Sequence, residues 1–160
     1  MEYQININYS FTAENENEAK EKAKNYVGSN LEVKAIRDGI YSPLEIALKC
    51  KNFRKAKKEH FCVFFLDTQN RILDRETVSI GTLNTSLIHP RECFRTAILK
   101  NSASVIFVHN HPSGGLEPSA EDLNVTKRLK DAGKLLGIEV LDHVIVTAES
   151  HTSFKERNLM

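Results

Sequence analysis

Two short stretches constrain the fold of this chain more than any others: Phe61-Cys62-Val63-Phe64-Phe65-Leu66 and Val105-Ile106-Phe107-Val108. Both are unbroken runs of apolar residues. Neither reaches the roughly ten residues that a buried helix needs, so each is expected to be a strand. Alternate side chains of a strand point to opposite faces, and an apolar run must therefore be covered on both. The chain is expected to place these two strands inside a sheet, with helices packed on its faces.

The flanking residues supply the other elements. Ser42-Pro43 is a helix start, with Ser as N-cap and Pro in the first turn; the helix carries Leu44, Ile46, Ala47 and Leu48 toward Phe53. Asp67-Thr68-Gln69-Asn70 is turn chemistry, and residues 71–80 return as the second arm of a hairpin, broken at Gly81-Thr82-Leu83-Asn84. Pro90 starts a second helix, helped by His89, that Asn101 can stop. A loop rich in Pro and Gly is expected from His109 to Pro118. Ser119 opens a long helix with Leu123, Leu129, Ala132, Leu135 and Leu136 at helical spacing, ended by Gly137. Residues 138–146 are the last clear strand. The pattern is α/β, with a mixed or parallel sheet.

Residues 1–40 differ. Tyr3, Ile5, Ile7, Tyr9 and Phe11 alternate with polar residues, a strand period. A polar helix over 14–27, a stop at Gly28 and a second strand over 31–36 complete a small β-α-β extension. The main domain is expected over 41–160.

The 160 residues suit one compact domain with a small addition. Twenty-two basic against 21 acidic residues leave a net charge of +1, which announces neither a nucleic-acid nor a membrane partner. Cys50, Cys62 and Cys93 are odd in number and form no Cys-x-x-Cys pair, so no disulfide framework is expected and a reducing compartment is the default. The first residues lack the basic and apolar segments of a signal peptide, and no apolar run approaches the ~20 residues of a membrane span. These features predict a soluble, cytoplasmic protein.

Chemistry concentrates after the second buried strand, at His109-Asn110-His111-Pro112-Ser113-Gly114-Gly115. Ligands of α/β sheets bind beyond the carboxyl ends of strands. Two histidines two residues apart project to the same side of an extended chain, a geometry suited to zinc. The glycines let the backbone turn, and the next helix delivers Asp122 in its first turn. His109, His111 and Asp122 would make three ligands and leave a fourth tetrahedral position for water, as catalytic zinc sites do. Each piece has a plainer explanation alone: solvated histidines, or an ordinary helix start with Ser119 as cap and Glu121 and Asp122 facing the dipole. Their concentration in one span favours the metal site, and capping is compatible with it.

His109-x-His111, seven residues, Ser119, two residues and Asp122 match the JAMM metalloprotease pattern. The longer segments SIGTLNTSLIHPRE (79–92), VHNHPSGGLEPSAEDLNVTKRL (108–129) and GIEVLDHVIV (137–146) resemble the RadC family, a branch of the JAMM/MPN group. The resemblance runs from about Tyr41 to the C-terminus. It implies a three-layer MPN/cytidine-deaminase-like architecture and a Zn2+ ion on His109, His111 and Asp122. Ser119 matches the serine that contacts the water or steadies the tetrahedral intermediate. An upstream glutamate on a preceding strand would be the general base: Glu59 first, Glu76 second, Glu92 a distant third. The implied activity is zinc-dependent hydrolysis of an amide or isopeptide bond in a peptide or protein, with the substrate expected beside 113–116. His143 reads equally as a residue behind a metal ligand and as a core histidine. Longer relatives carry a region resembling helix-hairpin-helix DNA-binding modules, unlike the β-α-β pattern here. The alternative function is a DNA-associated accessory protein whose metal site is structural. Lys49, Lys51, Arg54, Lys55, Lys57 and Lys58 could touch phosphates, although a solvated helix end explains them more simply. The oligomeric state is left open.

Overall fold

The computed structural model describes Ile40, residues 42–81 and residues 88–160. The β-α-β elements expected over 3–36 and the break expected at 82–84 lie outside the described residues. Five strands form one mixed sheet: β1 (Glu59–Leu66), β2 (Ile72–Gly81), β3 (Ser104–Asn110), β4 (Glu139–Val146) and β5 (His151–Ser153), in the order β2-β1-β3-β4-β5. β1 runs antiparallel to β2 and β3, β3 runs parallel to β4, and β4 runs antiparallel to β5.

The two apolar runs are interior strands, covered on both faces. Phe61, Val63, Phe65, Val105 and Phe107 join one core cluster with Phe94, Ala97, Val125 and Leu129. The last four come from helices α2 (Pro90–Leu99) and α3 (Ala120–Leu136). Cys62, Phe64, Leu66, Ile106 and Val108 join the other cluster with Ile46 and Ala47 of helix α1 (Pro43–Lys49). Helices thus cover both faces of the sheet, as the mixed α/β reading requires. Each fully buried Phe or Leu contributes about 1.5–3 kcal/mol to holding the layers together. All three cysteines are buried free thiols. Burial pushes Cys50 and Cys93 up to about 12. None of the described helices is long and apolar enough to cross a membrane.

Local chemistry sets the element ends. Ser42 and Glu45 form a reciprocal capping box on α1. That helix stops at Lys49, before the expected Phe53; turns follow, in which Phe53 and Arg54 both donate their N–H to the Cys50 carbonyl. The stop buries Phe53 and lets Arg54 Nε donate to the Thr147 carbonyl at 2.7 Å. His89 is the N-cap of α2, and Asn101 ends it in the left-handed region at φ 51°.

Two expectations need refining. His109 is not in a loop: β3 continues through Asn110, because its backbone is paired on both sides, His109 with Phe61 of β1 and with Ile145 of β4. Of the apolar residues at helical spacing on α3, Leu129 is buried in the core and Ala132 packs against it, but the others do not form its inward face. Asp122, Val125, Thr126, Leu129 and Gly133 are buried, whereas Leu135 is 89% exposed. The buried set follows the i, i+3, i+4, i+7 spacing of one helix face, and it includes polar residues because that face meets the site. β5 carries no sequence signal, because its three residues are too few for a strand period to show.

Candidate metal centre

β3 ends at the site. His109 is fully buried, and His111 follows one residue beyond the strand with 13% of its side chain exposed. Asn110, between them, points the other way. Its Oδ1 accepts the His60 N–H at 2.7 Å, and its Nδ2 donates to the Ala56 and Lys58 carbonyls at 3.3 and 3.1 Å. The strand alternation therefore delivers both rings to one side and uses the intervening residue to fasten the approach to β1. Gly114, at φ 81°, makes the turn after His111. That turn brings the Gly115 carbonyl to 2.8 Å from His111 Nδ1. A carbonyl only accepts, so Nδ1 carries the proton of the neutral ring and Nε2 presents a lone pair.

Asp122 is fixed by the start of α3. Ser119 donates to Asp122 Oδ2 twice, from its backbone N–H and from Oγ, each at 2.7 Å, and Oγ accepts the Asp122 N–H at 3.1 Å. Oδ1 is turned to His109 Nε2 at 3.3 Å, while Oδ2 lies 3.5 Å from His111 Nε2. The two imidazole Nε2 atoms are 3.0 Å apart. Among the described residues, these three side chains form a group whose ligand atoms lie within 4.8 Å of one another and which could hold a metal ion. Ligands placed tetrahedrally about zinc at ~2.0–2.1 Å sit about 3.3 Å from each other. The Nε2–Nε2 spacing of 3.0 Å and the His109 Nε2–Asp122 Oδ1 spacing of 3.3 Å lie near that value, so the donor set is of the kind that could hold the ion.

The electrostatics agree. Burial and the neighbouring His143 hold His109 far below its ordinary value, against the pull of Asp122. The Asp122 carboxyl is pushed up by burial but is held well below the carboxylate range by hydrogen bonds from His111 and Ser119 and by the charge of His109. His111 is raised, first by its hydrogen bond to Asp122 and last by the charge of Glu59. A neutral His109 and an ionised Asp122 are the forms that ligate.

Behind the candidate ligands lies a second row. His143, on β4, is 0% exposed. Its Nε2 is 2.7 Å from His109 Nδ1, and its Nδ1 is 2.5 Å from Thr126 Oγ1. Thr126 Oγ1 also donates to the Asp122 carbonyl at 2.6 Å. Both sequence readings of His143 describe it: the ring is buried in the core and hydrogen-bonds the candidate ligand His109. Thr126 was missed, although it stands four residues after Asp122 on the same helix face.

The glutamate candidates separate. Glu59 opens β1, two residues beyond the partner of His109, and its charge reaches His111. Glu76 on β2 instead accepts from Thr96 Oγ1 at 2.5 Å and pairs with Arg95 at 3.6 Å. Glu92 is exposed and pairs with Arg91 at 3.0 Å. Ser119 is exposed and, in this geometry, caps α3 and orients Asp122. Of the six basic residues, the five lysines are exposed, while Arg54 is committed to the carbonyls of Thr147 and Ser150.

Comparison with known proteins bears on this site. Residues 40–159 match the model of the RadC-like JAB domain. A UPF0758 protein of Desulfitobacterium hafniense is 50% identical over 126 residues, 78% of this chain and 56% of its own length. One from Methanosarcina acetivorans is 51% identical over 122 residues, 76% of this chain and 53% of its own. One from Shouchella clausii is 49% identical over 127 residues, 79% and 55% respectively. The chain thus spans little more than half the length of these curated relatives.

Proposed function

The chain belongs to the RadC-like JAB-domain family, and from that premise we propose that it is a zinc-dependent hydrolase of the JAMM type, cleaving a peptide or isopeptide bond with water. The observation that carries the proposal is the convergence of two imidazole Nε2 atoms, 3.0 Å apart, on a buried carboxylate. Two lone pairs facing each other repel unless a proton or a metal ion lies between them, and a metal ion on both nitrogens would satisfy the carboxylate as well. His109 and His111 would bind through Nε2. Asp122 would bind through Oδ1, because Ser119 occupies Oδ2. Bound zinc supplies Lewis acidity, polarising the scissile carbonyl and acidifying water toward a pKa of about 7.

The remaining work falls to the chain. Glu59 takes the proton of the attacking water and hands it to the leaving amine. Ser119 turns its hydroxyl from Asp122 toward the oxyanion that develops on the carbonyl. The substrate lies along exposed Ser113, Gly114 and Gly115. The alternative, a DNA-associated accessory protein with a structural metal, draws on the exposed lysines. It is weaker, because the net charge is only +1 and Arg54 is engaged within the fold.

The test is metal analysis of the purified chain, followed by mass-spectrometric screening of peptide and isopeptide libraries. One zinc per chain and cleavage abolished by Glu59→Gln support the proposal. A protein free of zinc, with metal uptake unaltered by His109→Ala, overturns it.

A further inference from the structure

We propose that His143 and Thr126 are positioning residues that fix His109 as the tautomer with its lone pair on Nε2, the form able to ligate a metal ion. The inference rests on the metal-centre reading above and deepens it.

The surroundings of His143 leave its ring few choices. Phe154 stacks on it at 4.6 Å between centroids, and Phe61 and Phe107 meet it edge-on at 5.5 and 6.2 Å. Its neighbour Asp142 is occupied elsewhere, accepting from the His143 and Lys155 backbone N–H groups and from Ser153 Oγ. The ring is walled in by aromatic carbon, so it stays neutral, with a proton on one nitrogen and a lone pair on the other. Its polar partners are His109 Nδ1 on one side and Thr126 Oγ1 on the other.

Such a chain can run in two directions. In the first, His109 Nδ1–H donates to His143 Nε2, His143 Nδ1–H donates to Thr126 Oγ1, and Thr126 donates to the Asp122 carbonyl. In the second, Thr126 donates to His143 Nδ1, His143 Nε2–H donates to His109 Nδ1, and the proton of His109 moves to Nε2, where it blocks ligation. The Asp122 carbonyl decides between them. It lies 2.6 Å from Thr126 Oγ1 and can only accept. The first direction makes all three hydrogen bonds. The second turns the 2.6 Å contact into two facing lone pairs with no proton between them. A threonine hydroxyl on α3 thus sets, through a histidine on β4, which nitrogen of a histidine on β3 is free. The chain of bonds starts and ends on ligands, since the carbonyl belongs to Asp122. Partners in this second row are commonly worth ten- to a hundredfold in metal affinity.

The experiment uses the full chain. Long-range 15N–1H spectra of the metal-free wild type in mildly alkaline buffer read the tautomers, and chelator competition reads zinc affinity. In the wild type, His109 and His143 should both carry the proton on Nδ1. Thr126→Val preserves shape but removes the hydroxyl. It should move His109 toward the Nε2–H form and weaken zinc binding by about ten- to a hundredfold. Thr126→Ser should restore both. An Nε2 proton on His109 in the wild type overturns the inference, even if no variant folds. So does a Thr126→Val protein with unchanged tautomer and affinity, or equal losses in the Val and Ser variants. Failure of the zinc reading looks different: the wild type takes up no zinc, while the tautomers, measured without metal, stand on their own.

Discussion

Replacing Ser119 with alanine separates two roles that share one hydroxyl. Ser119 Oγ accepts the Asp122 N–H at 3.1 Å and donates to Asp122 Oδ2 at 2.7 Å. Losing the acceptor removes an N-cap from a 17-residue helix, a change that typically costs about 1 kcal/mol. Losing the donor removes a charge-assisted bond worth about 1.5–3 kcal/mol when fully dry. Ser119 is exposed, so water replaces much of that, and the Ser119 backbone N–H still holds Oδ2. The expected total is about 1–2 kcal/mol, measured as a shift of the urea midpoint in metal-free protein without a change of slope. Zinc affinity should fall by about tenfold, because Asp122 loses one of the bonds that orients it. Ser119→Thr keeps the hydroxyl and should recover most of both. If Ser119→Ala abolished hydrolysis but left urea midpoint and zinc affinity at wild-type values, the orienting role would be refuted, and Ser119 would act on the substrate alone.

Other consequences are as direct. A Cβ at Gly133 would meet the Ile138 carbonyl oxygen at 2.6 Å, Val140 Cγ2 at 3.0 Å and Phe94 Cζ at 3.2 Å. Gly133→Ala should therefore destabilise by about 1–3 kcal/mol in urea melts, against the usual gain of about 1 kcal/mol for alanine in a helix. A variant as stable as the wild type would mean that α3 does not sit that close to β4. Burial lowers His143 from 6.5 to about 4, and it lowers His109 in the same direction. The unfolded chain then binds more protons, so metal-free stability should fall as pH drops from 6.5 toward about 4. His111, raised, works the other way: its contribution is fully present below 6.5 and fades as pH rises above that value. Stability flat in urea over pH 6.5 to 4 would count against the buried neutral pair. Glu76→Gln should leave zinc binding and hydrolysis unchanged, since Glu76 serves Thr96 and Arg95, whereas Glu59→Gln should keep zinc and lose hydrolysis. The reverse pattern in a cleavage assay would exchange the two glutamates.

Much of this was legible in the residues alone, for physical reasons. The unbroken runs at 61–66 and 105–108 admit one structural solution, interior strands, and that solution holds. Capping chemistry at Ser42, His89 and Ser119, and the stops at Asn101 and Gly137, are local and so are visible locally. The candidate metal group was visible because two histidines and a carboxylate lie within fourteen residues, 109–122. What stayed hidden depends on distant packing. Helical spacing alone does not say which side of α3 faces in: the helix buries Leu129 and turns Asp122 and Thr126 inward to meet His109 and His143, leaving Leu135 in solvent. Glu59 ranks ahead of Glu76 in the sequence only by its place at the head of the strand over 61–66. The structure adds that Glu76 is paired with α2 and that Glu59 stands two residues from the partner of His109. The link from Thr126 through His143 joins residues 17 apart on different elements, and no spacing rule covers it.

The central claim is a metal ion on three named side chains, and anomalous diffraction at the zinc edge from crystals of the zinc-loaded protein tests it most directly. The account predicts one strong peak at about 2.0–2.1 Å from His109 Nε2, His111 Nε2 and Asp122 Oδ1, with Glu59 facing the open side. A peak on any other set of ligands, or no peak with the three side chains in the arrangement described here, would contradict it.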